Sequence, residues 1–302
     1  MSVYGYERNT TPWQLRQKNN KNFILFEKPY SSNVTTTASL SLALTSATLK
    51  DQATKSASEV PSIIEMANAY GFETTWISNQ SRFGFAELPQ TIIADAADNQ
   101  FWLNNNDNDY GWRTDSFDEV VLTSLNEALS RGENKKLVII HLMGQHGDYK
   151  HRYPSSFKKW PGNDADYDNS ILYNDFVLNS IYEIISKQET FKAMVYFSDH
   201  GEELGLGHTP DRFTYTMARI PFWIAVSDRF AQDNKDLIKT IKSNIERPFT
   251  NDFLFDIFCG LTKMTDHQFY RPNFDVTSKD FNIKPDDLMI LNTYRVSDDS
   301  KL

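Results

Sequence analysis

The chain has 302 residues, 40% hydrophobic and 14% aromatic, enough to bury a substantial core in one large domain. Acidic residues outnumber basic ones by 40 to 31, the net charge is −9, and no Lys/Arg cluster could follow a phosphate backbone, so no nucleic acid is expected as a partner. The single cysteine, Cys259, excludes an internal disulfide or a thiolate metal site and reads as a buried structural thiol, and no stretch approaches the roughly 18 apolar residues of a membrane span.

The first residues, Tyr4-Gly5-Tyr6-Glu7-Arg8-Asn9-Thr10-Thr11-Pro12, read as turn chemistry with no strand before them, so the sequence is expected to enter a domain part-way through. Hydroxyl residues at 35–37 followed by an apolar run predict a helix start. Residues 63–70 have helical spacing and stop at Gly71, ahead of a strand at 74–77. A helix is predicted over 117–129 and another over 170–187, where Ile171, Phe176, Val177, Ile181 and Ile184 form an apolar stripe. Strands are predicted at 137–142, 193–197 and 221–226, each apolar almost throughout and hence central. The polar loops 104–109 and 162–166 lack the carboxylate spacing of a calcium loop. After Asp280 a mostly polar tail to residue 302 is expected on the surface. Strands alternating with helices, without repeats or a linker, predict an α/β fold: a mainly parallel central sheet flanked by helices on both faces, in a single domain over 1–302.

The chemistry concentrates after the apolar strands, where open α/β sheets place their sites. Ser198-Asp199-His200-Gly201-Glu202 follows one strand. Asp199 and His200 offer an oxygen and a nitrogen ligand, a pairing suited to zinc, and His208 returns after a glycine-rich loop. The plainer alternative is that Asp199 caps a following helix while His200 packs. His146 lies between glycines in Met143-Gly144-Gln145-His146-Gly147 and can enter a crevice. His141, inside its strand, reads as a hydrogen-bonded core histidine, and His151 and His267 carry no assigned role. Thr35, Thr36 and Thr37 either cap their helix or present a hydroxyl to an anion at the helix start; zinc on such an oxygen would make it a nucleophile.

These segments together resemble the phosphoethanolamine transferases of the alkaline phosphatase and sulfatase superfamily over nearly the whole chain. The likeness rests on Ser2-Val3-Tyr4-Gly5-Tyr6-Glu7-Arg8, the threonine segment, Thr75-Trp76-Ile77-Ser78-Asn79-Gln80, His141-Leu142-Met143-Gly144-Gln145-His146-Gly147 with Arg152-Tyr153-Pro154, Tyr167-Asp168-Asn169-Ser170, and Ser198-Asp199-His200-Gly201-Glu202. It implies a sulfatase-like catalytic domain with Asp199 and His200 as zinc ligands. Thr36 would be both ligand and nucleophile, with Thr37 the alternative one residue along. His146 and His208 would bind the transferred phosphate, a second metal or the leaving group. The implied reaction takes phosphoethanolamine from phosphatidylethanolamine, through a phospho-threonine intermediate, to lipopolysaccharide or another cell-envelope glycan, at the periplasmic face of the bacterial inner membrane.

Two departures qualify this. The family's Gly-Glu-Ser segment, whose glutamate is a zinc ligand, falls before Met1, as would the first strand and the anchoring membrane helices. The disulfide-rich lipid A branch does not fit a chain with one cysteine; branches that modify core sugars or glucans fit better. The alternatives are a phosphatase or phosphodiesterase of the same superfamily, and an inactive piece that lacks the upstream glutamate. No Cys/Ser-x-Pro-Ser-Arg motif supports a sulfatase activity.

Overall fold

The computed structural model describes residues 1–51, 55, 57–82, 88–104, 116–132, 135–162 and 165–302. In chain order the elements are α1 (Pro12–Gln17), β1 (Phe23–Leu25), β2 (Pro29–Tyr30), α2 (Thr36–Ala43), α3 (Ile63–Ala69), β3 (Phe72–Ser81), α4 (Leu88–Ala94), β4 (Asn99–Asn104), α5 (Val121–Ser130) and β5 (Lys135–His141). The order continues with α6 (Asp166–Ile185), β6 (Ala193–Phe197), β7 (Phe222–Val226), α7 (Asp228–Asp233), α8 (Lys235–Ser243), β8 (Phe249–Thr250), α9 (Leu254–Thr262), β9 (Met289–Ile290) and β10 (Tyr294–Arg295). Short 3-10 turns join several of them. Most of the two polar loops, at 105–109 and 163–164, lies outside the described residues.

The chain forms two compact units, one of Met1–Phe23 and Ala67–Phe191, the other of Ile24–Met66 and Lys192–Leu302. The first holds a parallel sheet in the order β4-β3-β5. β3 is the middle strand because its β-branched and aromatic run buries both faces; Trp76 and Ile77 are fully buried. α5 packs on β3 through Val121, Leu125 and Ala128, which recur at helical spacing, and burying a side chain such as Leu125 contributes about 1.5–3 kcal/mol. α6 covers α1 and α5. Buried Asp175 on α6 accepts the backbone N–H of Trp13 at 2.7 Å and of Gln14 at 3.2 Å, satisfying amides that the start of α1 leaves open.

In the same unit the motifs of the sequence fasten one another. Tyr6 Oη and Arg8 Nη1 both donate to Asp168 Oδ2, at 3.0 and 2.8 Å. Asn169 Oδ1 accepts the amides of Lys159 and Trp160. His141 is hydrogen-bonded as expected, with Nδ1 3.2 Å from Ser78 Oγ, but it is half-buried and not in the core.

The second unit has the strand order β1-β7-β6 and a parallel pair of β2 with β8. β7 is buried at every residue, and β6 runs antiparallel to it, from Ala193 opposite Val226 to Phe197 opposite Phe222. An apolar run carries no direction, so this reversal is invisible in the sequence. Phe26, Phe222 and Phe249 meet edge to face with centroids 5.0–5.5 Å apart and form the centre of this core. Cys259 is fully buried, and burial pushes its thiol up to about 12, so it is an inert structural thiol.

The tail corrects an expectation. Phe281, Leu288, Ile290 and Val296 are buried in the second unit, and Asp299 pairs with Arg219 while accepting Tyr30 Oη at 2.8 Å. Its polar composition hid a few well-spaced anchors. The observed architecture is the expected α/β class: β3 pairs in parallel with β4 and β5, and β2 with β8, while β6–β7 and β9–β10 are antiparallel.

Candidate active site

Within the second unit, β6 ends at Phe197 and the chain turns through residues 198–201. Ser198 Oγ donates to the His200 carbonyl at 2.7 Å, and the Gly201 amide donates to Met217 O at 2.7 Å. A Cβ at Gly201 would lie 2.3 Å from Thr216 O and 2.6 Å from Arg219 O, so only glycine lets the turn lie this close to its neighbour. No helix follows Asp199, which disposes of the capping alternative.

Asp199 and His200 instead converge on the start of α2. His200 Nε2 is 3.4 Å from Thr36 Oγ1 and 3.5 Å from Asp199 Oδ2. His200 Nδ1 lies 2.8 Å from the Gly201 carbonyl, which can only accept, so Nδ1 carries a proton and Nε2 is the ring atom that faces the other two oxygens. Tetrahedral zinc with N/O ligands at about 2.0–2.1 Å separates neighbouring ligand atoms by about 3.3 Å. His200 Nε2 therefore stands at about that spacing from both Thr36 Oγ1 and Asp199 Oδ2, and its second ring nitrogen is anchored as in metal-binding histidines.

The threonines separate here. Thr35 occupies the cap position of α2 but makes no capping hydrogen bond with its side chain. Its hydroxyl and amide turn to Asn33 Oδ1, each at 3.2 Å, and the Val34 amide joins them at 2.8 Å. Thr36 is the threonine whose hydroxyl meets His200.

His208 comes back to the same place through a tight hairpin. Glu203 and Gly207 exchange backbone hydrogen bonds at 3.2 and 2.8 Å, with Gly205 and Gly207 at φ of 84° and 83°, a left-handed conformation that glycine adopts without strain. The His200 and His208 rings lie 4.0 Å apart between centroids, and His208 Nδ1 is 2.7 Å from Glu202 Oε2. The Glu202 hydrogen bond raises the His208 pKa, outweighing the opposing effect of burial, with the charges of Glu202 and Asp199 adding to it.

His200, Glu202 and His208 also each offer an atom within 4.8 Å of the others, a loose metal-binding grouping. The 2.7 Å separation of Glu202 from His208 is a hydrogen bond and is shorter than the ~3.3 Å edge between two ligands of one tetrahedral ion. Glu202 is therefore better read as the orienting partner of His208. Sequence reading placed Glu202 only in a motif; the two glycines between it and His208 were the signal that the pair folds back on itself.

His146 belongs to the first unit. Its loop is held from both sides: Asp118 Oδ1 and Oδ2 accept the amides of Met143 and Gly144 at 2.8 Å each, and Arg152 Nε donates to His146 O at 2.7 Å while Nη2 reaches Gly147 O at 2.9 Å. The structure thus brings Thr36, Asp199, His200 and His208 together in one unit and gives His146 a fixed loop in the other.

A model of the sulfatase family matches residues 1–273. The chain is 30% identical over 307 aligned residues to phosphoethanolamine transferase EptC of Escherichia coli O18:K1:H7 (strain RS218 / NMEC), covering 93% of this chain and 51% of that protein. It is 27% identical over 254 residues to the Kdo(2)-lipid A phosphoethanolamine 7''-transferase of Escherichia coli (strain K12), covering 77% of this chain and 43% of that protein. The chain spans about half the length, or less, of the curated relatives it matches. Among solved structures, the zinc complex of the C-terminal periplasmic domain of EcEptC from Escherichia coli superposes with a TM-score of 0.83 at 29% identity, over 94% of this chain and 84% of that one.

Proposed function

The chain belongs to the sulfatase family, and from that premise we propose that it carries the catalytic site of a zinc-dependent phosphoethanolamine transferase with Thr36 as nucleophile. One observation carries the reading: His200 Nε2 stands at zinc-ligand spacing from both Thr36 Oγ1 and Asp199 Oδ2, with the hydroxyl at the start of a helix. Likeness to named phosphoethanolamine transferases supports the choice of reaction, and the zinc complex of a similar domain supports the metal.

Thr36, Asp199 and His200 would hold the ion. When bound, zinc supplies Lewis acidity that lowers the pKa of the Thr36 hydroxyl, whose proton passes to solvent, and polarises a phosphoryl oxygen. Thr36 Oγ1 then bonds to the phosphorus of phosphatidylethanolamine, and the phosphorus–oxygen bond to diacylglycerol breaks, its oxygen taking a proton. His208, oriented by Glu202, would offer a hydrogen bond to the phosphoryl group as negative charge builds, and the dipole of α2 acts in the same sense. An acceptor hydroxyl next bonds to phosphorus, loses its proton and frees Thr36. For His146 the proposed contact with the transferred group or a second metal rests on its motif alone. The proposed acceptor is lipopolysaccharide or another envelope glycan, which a relative named as a Kdo(2)-lipid A transferase supports, and the proposed location is the periplasmic face of the inner membrane, of which a neighbour described as a periplasmic domain supports the periplasmic part. Among the described residues no helix is long and apolar enough to cross a membrane.

The test is incubation of the zinc-loaded chain with fluorescent phosphatidylethanolamine. Diacylglycerol release together with a phosphoethanolamine adduct on the Thr36 peptide, both abolished by chelation, is the expected result. Free phosphoethanolamine without any acceptor product would move the protein to the phosphodiesterase reading, and turnover that survives complete metal removal would overturn the assignment.

A further inference from the structure

The residues that meet in the active site come from two separate stretches of the second unit, α2 and the turn after β6. A metal site held by both is only as good as the alignment between them. The contacts that fix this alignment converge on the backbone carbonyl of Asp199.

Ser39 Oγ donates to Asp199 O at 2.5 Å, Ser31 Oγ lies 2.5 Å from the same oxygen, and Asn251 Nδ2 approaches it at 3.2 Å. Ser31, Ser39 and Asn251 are fully buried. A serine hydroxyl has one hydrogen and an asparagine amide two. Asn251 Nδ2 donates to Ser39 Oγ at 2.8 Å and to Asp199 O at 3.2 Å, Ser39 donates to Asp199 O, and the one hydrogen of Ser31 serves either Asn33 O or Asp199 O, each 2.5 Å away. Asn251 Oδ1 meanwhile accepts the amide of Ser32 at 3.0 Å and its hydroxyl at 3.2 Å. Every atom of the Asn251 amide is used, and each bond runs to a segment carrying a site residue: the 31–33 approach to α2, α2 itself, or the Asp199 turn.

Ser39 lies three residues after Thr36 in α2, on the same face of the helix. One end of that face therefore presents the nucleophile to His200 while the other is tied to the backbone of Asp199. We propose that Asn251 is a positioning residue of the reaction: through Ser39 and the Asp199 carbonyl it sets the distance of Thr36 from Asp199 and His200. The inference rests on the catalytic reading of that trio. Asn251 does not touch the reacting atoms; its amide is the buried link that makes two chain segments one ligand set. Nothing in the sequence marks it, since it reads as one polar residue in Phe249-Thr250-Asn251-Asp252-Phe253.

The experiment compares Asn251→Ala, Ser39→Ala and their combination with wild type, and uses Thr240→Ala as a control that removes a hydrogen bond in α8, from Thr240 Oγ1 to Asp236 O, away from this network. Three quantities are read: melting temperature, zinc dissociation constant by chelator competition, and kcat and KM for a fluorescent phosphatidylethanolamine. A crystal structure of the metal-free Ser39→Ala protein gives the Thr36–His200 separation directly. The expected outcome is a loss of zinc affinity of about tenfold or more, a comparable fall in kcat at unchanged KM, and a separation opened beyond 3.4 Å. The double variant should lose no more than the worse single one, because both cut the same link. Thr240→Ala should lower only the melting temperature. Unchanged zinc affinity and kcat in a folded Ser39→Ala or Asn251→Ala protein would overturn the proposal. Should wild type neither hold zinc nor turn over lipid, the catalytic reading fails, and the crystallographic separation still decides the positioning claim: an unmoved Thr36 refutes it.

Discussion

Thr36 Oγ1 and His200 Nε2 face each other across 3.4 Å although 164 positions separate them in the chain. A hydroxyl at the start of α2 and a ring nitrogen whose partner atom is anchored on Gly201 O are what a metal-assisted nucleophile needs. Replacing Thr36 by Ala should lower lipid turnover by at least about 10³-fold while the protein stays folded. Thr36→Ser, which keeps the oxygen, should retain most of the zinc affinity and a measurable fraction of kcat. Thr37→Ala should change kcat little. Steady-state kinetics with chelator competition separates the three; equal damage from Thr36→Ala and Thr37→Ala would speak against Thr36.

Gly201 sits where a Cβ would collide with two backbone carbonyls, neither of which can rotate aside. Gly201→Ala should therefore cost about 2 kcal/mol or more, measured by urea unfolding, since the turn must back away from residues 216–219. The same retreat carries His200 with it. Loss of zinc binding should exceed what the drop in stability explains, and a variant with wild-type affinity would mean the turn tolerates the shift.

The His146 loop depends on two buried charges. Asp118→Ala leaves the amides of Met143 and Gly144 without their acceptor, at about 1–3 kcal/mol for each buried unsatisfied group. Arg152→Lys exchanges a fork reaching two carbonyls for a single point charge and should cost less, about 1–2 kcal/mol. Chemical denaturation checks both, and hydrogen exchange at residues 143–147 should rise in each variant.

Asp275 gives the second unit a pH signature. Burial pushes its carboxyl up to about 6, against hydrogen bonds from Thr277 and Tyr270 that favour the charged form. With the folded pKa above the unfolded value of 3.8, the native state binds the proton more tightly. Its contribution is complete below pH 3.8 and is lost as pH rises through about 6. The shift of roughly two units corresponds to about 3 kcal/mol at most. Burial raises Asp252 and Asp256 as well, so they add a slope of the same sign. Asp275→Asn should flatten the fall in unfolding free energy between pH 4 and 6; an unchanged slope would place the effect on the other two.

The elements that were legible in the sequence are those defined by one local rule. The strand at 193–197 was foreseen to the residue, and the helix predicted over 117–129 appears as a 3-10 turn at Asp118–Val120 followed by α5 at Val121–Ser130, because apolar periodicity is a local property. The direction of β6 against β7 was not legible, nor were the anchors in the tail, because both depend on partners elsewhere in the chain. Asn251 is the extreme case: a buried amide whose entire role lies in contacts with residues about 50 to 220 positions away.

For the candidate site, the sequence determined the inventory. Side-chain type fixes what an atom can donate, accept or ligate, so Asp199, His200, His208 and a threonine at 35–37 were recognisable as chemistry before any fold was known. Only the tertiary structure sets Thr36 beside His200 and Glu202 beside His208. Those placements are distances of 2.7 to 3.5 Å: Thr36 against His200 from 164 positions away, Asp199 beside His200, and Glu202 hydrogen-bonded to His208 across a hairpin. Hydrogen bonding and ligation fall away within an ångström of such distances, whereas residue spacing along a sequence leaves tens of ångströms open.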